Sequence, residues 1–371
     1  MFVSIDMRHK IVAVLAALSL LAGTQSLAAG EIKNPRKDIL DTPARITQRA
    51  QTAVLTAVAI AGKRLVAVGE MGIVLLSDDN GLAWRQAKAV PTSVELTNVY
   101  FISDKTGWAV GHSGVVLKTT DSGENWLRVL DGKLAAEVEL AAADAAAPKN
   151  GEPATTRQHD AQRLVADGAD KPFFDVHFYD EQRGMVTGAY GLAFATHDGG
   201  KTWESLMGLI DNPKNRHLYS ITPFGADSLI AGEQGTLYRM TEAGQRFSAL
   251  KIPYVGTLFG ALEAGSNMLV YGLRGNAYRS TDQGVNWTKI DFGPHLTLTA
   301  GLKLRDGRLV VVDEGGRVMV SSDGGAQFSS LPIPKMSAAT GLVEAADGAL
   351  VVSTQRGAVR VAVAANKTEN K

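Results

Sequence analysis

Residues 96–126 read LTNVYFISDKTGWAVGHSGVVLKTTDSGENW. Three signals stand in order within them. Residues 96–102 are rich in β-branched and aromatic side chains and read as a strand. Val110-Gly111-His112-Ser113-Gly114 reads as an apolar strand, a tight turn and the start of another apolar strand. From Thr119 to Trp126 the pattern is Ser/Thr-x-Asp-x-Gly-x-x-Trp, an Asp-box. It suits a hairpin connection in which the carboxylate accepts backbone N–H bonds, glycine supplies positive φ and the aromatic packs back between sheets. Together these signals make four antiparallel strands in about 40 residues, a unit that cannot cover both of its own apolar faces.

The unit recurs seven times. Its Gly-turns close at Gly72, Gly114, Gly191, Gly235, Gly275, Gly316 and Gly357, at intervals of 42, 77, 44, 40, 41 and 41 residues. Asp-boxes follow most of them, carried by Asp79 and Trp84, Asp121 and Trp126, Asp198 and Trp203, Asp282 and Trp287, and Asp323 and Phe328, with a weaker copy at 240–247. First strands are read at 54–60, 96–102, 173–179, 218–223, 258–262, 298–304 and 339–343. The fold class that follows is all-β: a seven-bladed β-propeller of four-stranded antiparallel blades spanning 43–363. The one long interval marks an insertion between blades two and three, at 131–171, whose Ala- and Glu-rich first half and second half at 155–167 predict two short helices. They are expected to form a flap over the channel mouth that is separable from the ring. The seventh repeat lacks an Asp-box and a fourth strand, so residues 43–52 are expected to supply that strand and close the ring.

Lys plus Arg and Asp plus Glu number 38 each, which leaves no global field for nucleic acid. The sequence has no cysteine, so thiol chemistry, disulfides and thiolate metal sites are excluded. Arg8-His9-Lys10, the apolar run at 11–22 and Ser26-Leu27-Ala28 predict a signal peptide over residues 1–28 and export, to a periplasm or a lumen. Residues 29–42 and 364–371 are expected to be flexible ends. The seven histidines show no metal-ligand spacing, and no phosphate loop, dinucleotide fingerprint or nucleophile elbow occurs, so no metal, cofactor or catalytic residue is assigned. Nothing implies an obligate oligomer, and peripheral membrane association is compatible with the composition.

The combined strand, Gly-x-x-Gly turn and Asp-box resemble the BNR/Asp-box proteins, and most closely the photosystem II assembly and stability factor family. The likeness is clearest at 96–126 and 173–203. It implies a seven-bladed propeller that is not an enzyme: an exported scaffold that binds a membrane-protein partner, in an inner-membrane or membrane-associated complex, and assists its assembly, stability or transport. The alternative is a glycan-binding or glycoside-hydrolysing, sialidase-like Asp-box propeller. Sialidases resemble one another in an arginine triad introduced by Arg-Ile-Pro, and the nearest match here is Lys251-Ile252-Pro253.

Strand direction alternates, so the Gly-turns and the links between blades open on one face and the Asp-box hairpins on the other. Function concentrates on loops held by a rigid scaffold. The turn face is therefore the expected binding surface, with Glu70, His112, Tyr190, Glu233, Arg274, Glu314 and Arg356 as its candidate residues and a peptide or protein as the ligand. The Asp-box residues are expected to be structural.

Overall fold

The computed structural model describes residues 38–147, 154–241 and 246–362. Seven antiparallel sheets follow one another along the chain, six of four strands and the last of three. Their first strands are Leu55–Ala61, Leu96–Phe101, Phe173–Phe178, Leu218–Phe224, Leu258–Ala264, Leu298–Lys303 and Ala339–Glu344. Each touches the next, and Ala339–Glu344 returns to Leu55–Ala61, so the ring closes with these strands innermost. Second strands such as Gly107–Gly111 and Leu350–Thr354 are buried along their whole length, because a neighbouring blade covers each face. Trp108, in blade two's second strand, stacks on Phe178 of blade three with ring centroids 3.4 Å apart. The signal-peptide and C-terminal-tail expectations (1–28 and 364–371) lie outside the described residues.

All seven first strands carry a β-bulge at the same place. Pairing skips one residue after the first in each: Thr56, Thr97, Phe174, Tyr219, Phe259, Thr299 and Thr340. A bulge re-aims the unpaired side chain, and here it turns Thr56, Thr97 and Thr340 toward the adjacent blade, whereas Thr299 Oγ1 donates to Val312 O of its own blade (3.3 Å). Three of the four threonines use the position as a staple. Thr56 Oγ1 donates to Leu96 O (2.6 Å), Thr97 Oγ1 to Phe173 O (2.7 Å) and Thr340 Oγ1 to Leu55 O (2.7 Å), each tying its strand to the first residue of the next blade.

Ring closure differs from the expectation. Residues 43–52 do not supply a fourth strand to blade seven; they form a 3-10 turn, Ala50–Thr52. Small side chains let this turn sit close: Ala50 and Ala53 are buried beside Ala358, and Gly357 N–H donates to Ala53 O (2.9 Å). The backbone groups that a strand would have paired are taken by side chains instead. Gln86 Oε1 accepts from Thr47 N–H (2.7 Å) while Gln86 Nε2 donates to Arg45 O. The described part of the segment expected to be flexible, 38–42, is also held. Ile39–Asp41 is a 3-10 turn capped by Asp38, Leu40 is 1% exposed between blades one and two, and Arg128 grips Leu40 O and the Asp41 carboxylate.

The insertion is helical, as expected, and it docks on the ring. Helix α1 (Gly132–Ala146) is capped by Asp131, and helix α2 (Thr156–Asp167) has a Thr155/Gln158 capping box. Beyond α2, α1 packs chiefly against Glu204–Ser205, the outer strand of blade three. Glu139 is buried in that joint, where it receives two hydrogen bonds from Arg157 (2.8 and 2.9 Å) and one from the Ser205 hydroxyl. Val138 and Leu164 extend the core shared by blades two and three, so the insertion is a buttress of the ring rather than a separable flap.

The Asp-boxes follow their expected chemistry. In the second, Asp121 Oδ1 accepts from Asn125 N–H (2.9 Å) and from Thr119 Oγ1, Thr119 Oγ1 accepts from Gly123 N–H, and Gly123 has φ +84°. Trp126 is 2% exposed and its indole N–H reaches Gly123 O (2.9 Å). The indole N–H of Trp84 is buried without a partner, in a ring only half-buried. Trp126→Ala is therefore expected to cost about 3–5 kcal/mol in urea unfolding, and Trp84→Ala clearly less. Glu139→Ala strands Arg157 and Ser205 and is expected to lower stability by about 3 kcal/mol; an unchanged unfolding midpoint would contradict the buttress assignment.

Candidate functional site

The seven turn-face candidates occupy two different registers of the Gly-turn. Glu70, His112, Glu233 and Glu314 take its first position, whereas Tyr190 and Arg274 take the second, left-handed one, with φ of 55° and 57°. Arg356 also follows the first position and is exposed. Three of the first-position glutamates are fastened to their own blade. Glu70 accepts from Val54 N–H (2.9 Å), Glu233 from His217 N–H (2.9 Å) and Glu314 from Thr297 N–H (2.8 Å), in each case the residue just before the first strand. These carboxylates clamp the entry to the strand, and Glu233 also borders the His217 ring. His112 lies 3.9 Å from Glu95. The candidates thus form a rim rather than one cluster.

What the structure does bring together is an arc of rings at the mouth of blades three, four and five. Where the other four blades place threonine at the bulge, these place Phe174, Tyr219 and Phe259. Phe174 stacks on Tyr219 (4.9 Å, 24°), and Tyr219 meets Phe259 edge-on (5.1 Å, 68°). His217 continues the arc, 5.9 Å from Phe174 and 5.1 Å from Tyr190, whose side chain is 52% exposed on the blade-three turn. Of the sequence candidates, Tyr190 and Glu233 belong to this arc. Phe174, Tyr219 and Phe259 were missed, although aligning the second residue of each first strand gives Thr, Thr, Phe, Tyr, Phe, Thr, Thr around the ring.

Deeper in the ring lies a polar hub. Asp175, next to the bulge in blade three and 8% exposed, accepts from its neighbour Val176 N–H (2.7 Å), from Asn98 Nδ2 of blade two (2.5 Å) and from Ile221 N–H of blade four (2.6 Å). Burial nevertheless pushes its carboxyl up to about 7, against those three donors. His177, further along the same strand, is pushed down to about 4 by burial and so is neutral between Tyr100 and Tyr179.

The repeat architecture and its mouth now stand beside known proteins. The family model described as Photosynthesis system II assembly factor YCF48 matches residues 62–157 and 153–329. This chain belongs to that family. Within it, the photosystem II assembly lipoprotein Ycf48 of Synechococcus sp. (strain CC9902) is 32% identical over 97 residues, 24% of this chain and 29% of that protein, so the match spans under a third of the relative's length. A solved structure of YCF48 bound to D1 peptide superposes with a TM-score of 0.61 at 14% identity, covering 86% of this chain and 97% of that one. The GH74 enzyme of Niastella koreensis superposes with a TM-score of 0.58 at 11% identity, covering 85% of this chain and 53% of the enzyme. Both likenesses show the fold alone.

The Asp-box carboxylates of this YCF48-family chain are committed to their own loops. Hydrogen bonds from the Thr202 hydroxyl and then the Thr202 amide hold Asp198 at about 2, and backbone amides lower Asp79, Asp282 and Asp323. A general acid needs the opposite shift. Lys251-Ile252-Pro253 lies in the link between blades four and five, with Ile252 packed on the core.

Asp175 makes a pH prediction. Its folded value lies above its unfolded one, so its contribution to stability is full below about pH 4 and is lost as pH rises through about 7. In urea unfolding the stability difference between the parent and Asp175→Ala is expected to shrink from pH 4.5 to pH 8. A difference that stays level would mean the three donors hold the carboxyl at its ordinary value.

Proposed function

We propose that this chain is an exported, non-catalytic scaffold that binds a peptide segment of a membrane-protein partner at its turn-face mouth and assists that partner's assembly, stability or transport. The observation that carries the reading is the aromatic arc. Half-buried rings replace the threonines of the other four blades, three of which tie blade to blade, and they do so on three consecutive blades at the mouth. Rigid rings at the edge of a concave opening are what a protein uses to hold an extended segment. Family membership supports the same reading, and so does the YCF48 structure that holds a D1 peptide. Export rests on the charged and apolar N-terminal sequence and fits a partner in a membrane.

Tyr190 tests the face without touching the core. Ser113 occupies the same left-handed turn position in blade two, so Tyr190→Ser copies a residue the fold already uses there. Stability is expected to change by no more than about 0.5 kcal/mol. Crosslinking the tagged chain in its own cells is expected to recover one specific membrane protein, and the Tyr190→Ser variant to recover several-fold less of it. Recovery of no specific membrane protein by the folded parent would refute the proposal.

A further inference from the structure

We infer that the arc formed by Phe174, Tyr219 and Phe259 is an anchor subsite for a basic side chain, arginine before lysine, of the bound segment. The inference rests on the peptide-binding reading and specifies its chemistry. Core packing does not account for these rings: all three are half-buried, and threonine fills the same bulge in the other four blades. What they offer is π faces. Tyr219 and Phe259 stand at 68°, with Phe174 stacked on Tyr219, so the ring planes turn in different directions within one mouth. The faces of aromatic rings attract cations, and a planar guanidinium also stacks on them.

Two further observations favour a cation over an apolar group. At the end of the arc a cation already rests on a ring: Lys171 Nζ lies 5.3 Å over Tyr190, held there by Asp167 (3.0 Å) and Asp170 (2.6 Å). Beside Tyr219, the Glu233 carboxylate lies 3.8 Å from His217 Nδ1, which places a negative charge at the wall of the subsite. Of the basic groups nearby, Lys171 is paired with its two carboxylates, while Arg216 donates to the Thr236 hydroxyl (3.3 Å).

The fold supplies its own control. Phe174→Thr, Tyr219→Thr and Phe259→Thr each copy the residue of the other blades, so the triple variant keeps the ring and removes only the arc. The probes are acetyl-Gly-Gly-Xaa-Gly-Gly-amide peptides with Xaa as Arg, Lys, Leu or Glu, titrated into the full chain and followed by NMR of the aromatic ring signals. The expected order is Arg, Lys, Leu, Glu, with about tenfold between Arg and Glu, equivalent to about 1.4 kcal/mol. The triple variant, or Phe259→Thr alone if the triple does not fold, is expected to lose the preference for Arg. Leu binding as tightly as Arg, no detectable binding of any peptide, or an Arg preference that survives the substitutions would each overturn the inference. Partner capture separates the two levels: capture undiminished by the threonine variants sinks the subsite alone, whereas a parent that captures nothing sinks the reading beneath it.

Discussion

The structure depends on the joint between neighbouring first strands. A blade whose second strand is buried on both faces has no stable existence alone, and the ring holds only if every innermost edge is fixed to the next. The bulge threonines do this directly at three joints. The bond from Thr340 to Leu55 is the decisive one, since it spans 285 positions of sequence and no chain connection supports it. Among the described residues blade seven has three strands, and closure is secured at the axis, by this bond, and by the 3-10 turn at Ala50–Thr52 wedged against Gly357. Extended pairing at the outer edge is not required.

The repeat was legible in the sequence because its signals are local. Glycines with positive φ, such as Gly123, and a carboxylate four residues from the amide it caps leave their mark within eight residues. Closure was misread for the opposite reason. Residues 43–52 were assigned a strand by counting strands, yet Ala50, Gln51, Thr52 and Ala53 show no alternation, and the side chains that capture the segment, Gln86 among them, come from blade one. The insertion's helices were readable from composition and caps. Their docking was not, because it turns on one buried carboxylate, Glu139, and on a hydroxyl of the blade-three edge, Ser205, 66 positions away.

The candidate site was half legible for a related reason. Turn residues announce themselves as exposed polar positions between glycines, which picked out Tyr190 and Glu233 beside the arc. It also promoted Glu70 and Glu314, whose carboxylates are spent on amides of their own blade. The arc residues sit inside strands, where Phe and Tyr are ordinary, and only the shared register shift reveals that their side chains are re-aimed.

The three blades that give up a threonine are not left loose, and the compensation is what leaves room for the proposed binding surface there. Phe174 makes no staple, but in the same strand Asp175 reaches Ile221 N–H of blade four and Asn98 of blade two. Tyr219 makes none either; in its strand Thr222 Oγ1 donates to Ala261 O of blade five (3.3 Å). Blade five joins blade six through the buried phenol of Tyr271 and the backbone of Gly301. The cross-blade bonds at these joints come from residues other than the bulge, freeing the bulge positions for rings. A buried carboxylate is an expensive way to join blades, since desolvation opposes its charge, and a threonine hydroxyl does the same work at neighbouring joints without that cost. Stability alone gives no reason for the exchange; a surface that must present aromatic faces at the mouth while the ring beneath stays rigid does.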